Sequence, residues 1–171
     1  IRAYRLALPL DADPDLRVEA AINVADGYLH IGAPEKAARW ALRAVLQARR
    51  AAPWKRQGAA LQVVAACLAT GRMRLARRIL HRLERETVAP YWMSQFLRLW
   101  AEWWFRAGDR QQAVRCARRA LDVAIRQLSP EDVEDTGKIL QQFYDQALTA
   151  NWERDFLASL REHRELIGAF N

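Results

Sequence analysis

The chain has few of the residues that mark disulfide-rich, membrane-spanning or metal-binding proteins. Its only cysteines are Cys67 and Cys116, too few for a disulfide scaffold. Each lies in an apolar run without a second ligand at metal-binding spacing, so we expect two structural thiols in a reducing cytoplasm. No apolar run approaches the ~18 residues that span a bilayer, and no secretory signal opens the chain. We therefore expect no membrane partner.

Catalytic patterns are missing as well. The sequence has seven glycines but no glycine-rich loop that would hold a phosphate. None of its serines lies in a G-x-S-x-G elbow. The three histidines, His30, His81 and His163, lack the H-E-x-x-H spacing of a zinc site. The sequence therefore predicts no catalytic residues, no metal site and no cofactor, which favours a binding protein over an enzyme.

Lysine is scarce, so nearly all of the positive charge is carried by arginine. The formal net charge of +7 is unevenly distributed along the chain. Residues 35–128 hold twenty basic side chains against six acidic ones, whereas residues 1–34 and 129–171 are both net acidic. A basic middle between acidic ends indicates acidic partners, or self-association between the two kinds of segment.

Three short turns repeat along the chain: LHIGAPEKA, LATGRMRLA and FRAGDRQQA. Their glycines, Gly32, Gly71 and Gly108, are 39 and 37 residues apart, and an alanine follows each glycine five residues later. Prolines recur at nearly the same interval, each before an apolar-periodic run. They are Pro14, Pro53, Pro90 and Pro130. The period is that of a helix pair, and we expect one domain with units at about 1–14, 15–52, 53–89, 90–129 and 130–171.

The periodicity predicts an all-α fold of about nine helices. Apolar residues recur at three and four positions, and there is little strand signal. The predicted helices lie near 1–8, 15–31, 34–51, 54–70, 73–88, 91–107, 110–128, 131–148 and 152–169. Gly32, Gly71 and Gly108 are expected to end helices in the left-handed conformation. The connections are short, so consecutive helices should run antiparallel.

The spacing of bulky, small and aromatic residues resembles the tetratricopeptide repeat. In that family the first helix carries a bulky residue, a small one beside it and an aromatic three residues on, before a glycine and two alanines. Two units match, with Val24, Ala25, Tyr28, Gly32, Ala37 and Ala44 in one, and Trp100, Ala101, Trp104, Gly108, Ala113 and Ala120 in the other. The middle unit departs, with Val64 and Leu83 where small residues are usual. The resemblance implies a right-handed α-solenoid of antiparallel helix pairs.

The second helices of the pairs carry two arginine ladders. Equivalent positions hold Arg39, Arg78 and Arg115, and four residues later Arg43, Arg82 and Arg119. Because the alanines and leucines of these helices form the buried stripe, the arginines are expected to point outward on the convex face. They could remain simply solvated, or they could bind nucleic acid or the acidic residues of a partner or of a second copy. Interleaved aromatics for base stacking are lacking, which disfavours nucleic acid.

The first helices are expected to line a concave groove. Its exposed positions superpose as Ile22, Asp26, Leu29; Leu61, Ala65, Leu68; and Arg98, Glu102, Phe105. The middle set is wholly apolar and has charged neighbours, as at protein interfaces. An amphipathic helix of a partner would fit there, unless a neighbouring helix of this chain covers the floor. Trp100 and Trp104 are predicted to be core residues, with Trp103 wedged against a neighbouring repeat.

These patterns predict a protein- or peptide-binding module. Its period of about 38 exceeds the ~34 of the standard repeat and is similar to the long-helix repeats of bacterial transcription regulators of the maltose-regulator type. The resemblance implies the sensor or scaffold region of a bacterial regulator, and we expect a fragment of a longer protein. Nucleic-acid binding by the convex arginines and structural self-association remain alternatives.

Overall fold

The computed structural model describes residues 13–145 and is all-helical over that range, as predicted. It contains seven α-helices: α1 Pro14–His30, α2 Pro34–Gln47, α3 Pro53–Ala69, α4 Met73–Arg85, α5 Met93–Arg106, α6 Arg110–Arg126 and α7 Pro130–Asp145. Two 3₁₀ turns, Ala48–Arg50 and Pro90–Trp92, follow α2 and precede α5. The helices predicted near 1–8 and 152–169 lie outside the described residues. The boundaries of the other seven agree with the sequence prediction to within a few residues, except that the end predicted near 148 lies outside the described residues.

Several helices begin at the prolines, or end before the glycines, that were predicted from the sequence. A proline occupies the first turn of α1, α2 and α3. The three turn glycines have φ angles of 70°, 73° and 91°, in the region that favours glycine. After Gly71, the N–H of Arg72 donates to the carbonyl of Cys67 at 2.7 Å. This bond closes a Schellman-type cap, and its equivalents follow Gly32 and Gly108.

The helices pack in chain order. The first helix of each pair (α1, α3, α5 and then α7) lies beside the next first helix. Each second helix (α2, α4 and α6) packs on the first helix of its own pair and on the first helix that follows. The helix α3 consequently has α1, α2, α4 and α5 around it. It is the centre of the largest hydrophobic cluster, which includes Leu61, Leu68, Leu80 and Trp100.

The tryptophans of α5 join this helix to the preceding pair. Trp100 and Trp103 are buried, and the indole N–H of Trp103 donates to the carbonyl of Met73 at 3.0 Å. Both predictions for these two residues are confirmed. Trp104 stacks on Trp100 with ring centroids 5.9 Å apart, but it is only partly buried. It therefore packs at the edge of the core.

Gly58 marks a close contact between α3 and the Pro90–Trp92 turn that precedes α5. A Cβ atom built on Gly58 would lie 2.7 Å from Cε2 of Trp92. The Trp92 ring therefore occupies the space that a side chain at position 58 would need. Its indole N–H donates to the carbonyl of Trp54 at 2.6 Å. The glycine thus permits the Pro90–Trp92 turn to seat on the start of α3.

Candidate functional site

The predicted concave groove is largely closed. Ile22 is 6% exposed, and Leu61 and Leu68 are fully buried, so the expectation that these three residues are exposed is wrong. The superposition assumed one buried stripe per helix, whereas α3 has four helical neighbours and buries residues all around its axis. Leu61 and Leu68 belong to a buried hydrophobic cluster that also contains Ala25 of α1 and Phe96 of α5. This outcome matches the alternative that neighbouring helices cover the floor.

The rest of the predicted groove is engaged within the chain. Arg98 Nη1 lies 2.6 Å from Asp135 Oδ2 and 3.9 Å from Asp132 Oδ1. Phe105 stacks on Phe143 with ring centroids 4.3 Å apart and planes within 9°. Both contacts join α5 to α7. Two residues of the third groove set, Arg98 and Phe105, therefore hold the next helix of this chain and are not free for a partner.

Smaller parts of the groove remain accessible. Leu29 and Ala65 are half-buried, and Glu102 pairs with Arg106 at 2.6 Å. Asp26 is also half-buried, and burial raises the pKa of its carboxyl group although nearby His30 and Arg98 oppose the shift. Two of these four residues are charged, so they do not form an open apolar floor.

The arginine ladders have the exposure that was predicted. All six side chains are exposed: Arg39, Arg43, Arg78, Arg82, Arg115 and Arg119. Arg82 Nε contacts Glu86 Oε1 at 2.7 Å, and the Arg43 guanidinium lies 4.9 Å from the centroid of the Trp40 ring. The other four have no ion pair with residues 13–145. The basic surface is therefore largely unneutralised within the described part of the chain.

Exposed apolar side chains occur on the same helices as these arginines, and the sequence prediction missed them. On α2, Leu42 is 55% exposed, Val45 is 38% exposed and Leu46 is 60% exposed. On α4, Leu75 is 40% exposed. The spacing of three and four residues from Leu42 to Val45 and Leu46 is itself a helical stripe. The sequence alone therefore predicts an apolar stripe on α2, although the arginine periodicity of the same helices is more conspicuous.

A cleft of about 540 Å³ opens between the C-terminal halves of α2 and α4, with the start of α3 at its base. Its lining is Val45, Ala48, Arg49, Pro53, Arg56, Gln57, Ala60, Ile79, Arg82, Leu83 and Glu86. The lining thus combines an apolar interior with three arginines and a single acid. We call this cleft together with Leu42, Leu46 and Leu75 the α2–α4 face.

Two cysteines and two histidines lie within residues 13–145. Burial raises the pKa of both cysteine thiols, Cys67 and Cys116, which keeps them protonated and weakly nucleophilic. His30 and His81 are exposed. Within residues 13–145 no group of three potential metal ligands comes together. No helix in that range is long and apolar enough to cross a bilayer.

Comparison of the chain with protein-family models, with curated proteins and with solved structures finds no match in any of the three. The function must therefore be inferred from the surface that the seven helices form. On that surface the α2–α4 face is the place where exposed apolar side chains, unpaired arginines and a cleft coincide.

Proposed function

We propose that this protein is a protein- or peptide-binding module whose binding surface is the α2–α4 face. The observation that carries the proposal is the run of exposed apolar side chains beside the arginine-rimmed cleft. An apolar patch rimmed by polar groups costs free energy in water and commonly marks an interaction site. Arginine is also enriched at protein interfaces, where its planar group binds carboxylates and packs on apolar surface.

The repeat pattern supports the wider assignment. The equivalence of three glycine-capped turns and the packing of helices in chain order are what a tetratricopeptide-type α-solenoid would give. In such arrays neighbouring repeats form one extended binding surface. We therefore propose a solenoid that serves as the sensor or scaffold region of a bacterial cytoplasmic regulator.

Capture from host lysate with matched leucine variants tests the proposal. Leu42→Glu with Leu46→Glu places charge in the exposed stripe and should abolish specific capture, whereas Leu16→Glu should leave it intact. Leu16 is a fair control because it is 60% exposed, as Leu46 is, but lies on α1. Both variants should keep the thermal midpoint of the wild-type protein. Equal capture by the wild-type protein and the double variant would show that the α2–α4 face is not the binding surface.

Nucleic-acid binding is a second candidate, favoured by the exposure of both arginine ladders. If the ladders bind phosphates, the log of affinity should fall with the log of salt, by about 0.7 to 0.9 per contact. Changing Arg78 and Arg82 together to Gln should then reduce the slope by roughly one to two units. Gel shifts with a mixed DNA and RNA pool measure this, and absence of any shift at low salt would dispose of the candidate.

A further inference from the structure

Apolar and basic side chains lie side by side on the α2–α4 face. Leu42 and Val45 on α2 are three residues apart, and Arg49 follows four residues later in the 3₁₀ turn Ala48–Arg50. This helical spacing places the three side chains on one side. On α4, Ile79 and Arg82 enter the same cleft from the other wall. Both walls of the cleft therefore combine apolar side chains with a guanidinium group.

The cleft has an excess of positive charge. It contains Arg49, Arg56 and Arg82, and its single acid, Glu86, already pairs with Arg82. Within residues 13–145 neither Arg49 nor Arg56 has an ion pair. Two exposed guanidinium groups beside an apolar surface favour a ligand that brings carboxylates and apolar side chains together.

We propose that the occupant of the α2–α4 face is an acidic amphipathic α-helix of a partner protein, an inference that rests on the proposed function. A helix presents apolar side chains at positions i, i+4 and i+7 on one side. Laid between α2 and α4, these would cover Leu42 and Val45 and enter the cleft. Carboxylates on the flank of that helix would meet Arg49 and Arg56.

Charge and chemistry disfavour the other occupants. A second copy docked through the same face would oppose arginine to arginine. Three of the four acids at the start of α7 in a second copy are already paired, since Asp132 and Asp135 contact Arg98 and Glu134 pairs with Lys138. A nucleic-acid backbone would use the arginines but would gain nothing from the exposed leucines, because phosphate contacts are electrostatic.

Fluorescence anisotropy with synthetic helical peptides tests the inference. The probe is a lactam-stapled peptide of about five helical turns, with leucines along one side and glutamates on both flanks. One control peptide has the same composition with its leucines distributed around the helix, and a second carries lysine in place of glutamate. We expect the probe to bind at least about tenfold more tightly than either control, a difference of ~1.4 kcal/mol.

Variants of the protein then locate the site. Arg49→Glu with Arg56→Glu should weaken binding of the acidic probe at least about tenfold, and Val45→Glu should do the same. Arg110→Glu with Arg126→Glu is the matched control, since it makes the same charge change on exposed residues of α6. All variants are first compared with the wild-type protein by circular dichroism, and the exposed arginine pair carries the test if Val45→Glu destabilises the fold.

Three results would overturn the inference. The first is equal binding of the probe and the redistributed peptide. The second is an equal loss of binding in the α6 control. The third is preferential binding of a single-stranded oligonucleotide over the probe at the same arginines. If the probe fails to bind while lysate capture still depends on Leu42 and Leu46, the proposed function stands and only the acidic-helix partner is wrong. If capture is also independent of those leucines, both fail.

Discussion

The successive helices α3 and α4 are buried to very different extents. No charged residue occurs between Gln57 and Gly71, and α3 buries ten of its 17 residues. In contrast α4, with the sequence MRLARRILHRLER, buries three of its 13 residues. The number of helical neighbours explains the difference, because α3 is surrounded by four helices whereas α4 packs on α3 and α5. The width of the apolar arc of a helix therefore reports how many neighbours it has.

Because of this difference, stability and binding are expected to depend on different residues. Leucines of α3 contribute by being removed from water, so their substitution should affect folding. Leucines and arginines on the outer sides of α2 and α4 remain in water, so their substitution should affect only what the protein binds. The same residue type at two positions can therefore test the comparison directly.

The largest expected effect is that of truncating a leucine on α3. Leu68→Ala should lower the free energy of unfolding by about 2 to 5 kcal/mol, because Leu68 is fully buried and the change leaves a cavity. Leu46→Ala on α2 should cost less than about 0.5 kcal/mol, since Leu46 is 60% exposed. Urea unfolding of both variants measures the two values. Similar costs would mean that the burial contrast between these positions does not hold in solution.

The helix positions could be predicted from the sequence because they depend on local signals. The glycines of the three turns and the prolines at helix starts act within a few residues, and the 3.6-residue periodicity acts within one helix. The central position of α3, in contrast, depends on how several helices pack together. It was nevertheless visible in the uncharged stretch from Gln57 to Gly71, which is too uniformly apolar for a helix with one buried side.

The candidate site was predicted only in part for a related reason. The exposure of the six ladder arginines follows from the alanine stripe of their own helices and is confirmed. The cleft depends on the separation of α2 and α4, with the start of α3 at its base, and no pattern within one helix encodes that distance. The pairing of Arg98 with Asp135, 37 residues apart, likewise depends on how α5 and α7 meet.

Two helical glycines provide the next contrast. Gly58→Ala on α3 should cost about 1 to 3 kcal/mol, because the new methyl group would collide with Trp92 and displace its ring. Gly137→Ala on α7 should stabilise the protein by roughly 0.5 to 1 kcal/mol, since nothing lies within 4 Å of the added Cβ. Thermal unfolding should show midpoints that move in opposite directions. A destabilised Gly137→Ala variant would contradict the open space around that residue.

Charge pairs give a smaller contrast of the same kind. Lys55 in the first turn of α3 is 6% exposed and pairs with Glu19, whereas Arg82 on α4 is exposed and pairs with Glu86. Glu19→Ala should cost about 1 to 2 kcal/mol, less than for a fully buried pair because Glu19 itself is half-exposed. Glu86→Ala should change stability by less than about 0.5 kcal/mol. Urea unfolding at low and high salt measures the loss of stability in each variant. Equal losses for Glu19→Ala and Glu86→Ala would mean that Lys55 is not buried.

The smallest expected effect is that of Asp26, a charged residue on the first-helix side of the molecule. Burial raises the pKa of its carboxyl group above the usual 3.8, so the folded state binds a proton more readily than the unfolded chain does. Stability should therefore fall as the pH rises through the window above 3.8, and the full penalty should persist at neutral pH. Asp26→Asn removes the ionised group and should raise the urea midpoint slightly at pH ~7, with a gain that shrinks as the pH falls toward the unfolded pKa. The effect is small because about half of the side chain is exposed. A lower midpoint for the variant at neutral pH would mean that the attraction of Asp26 to His30 and Arg98 outweighs its desolvation.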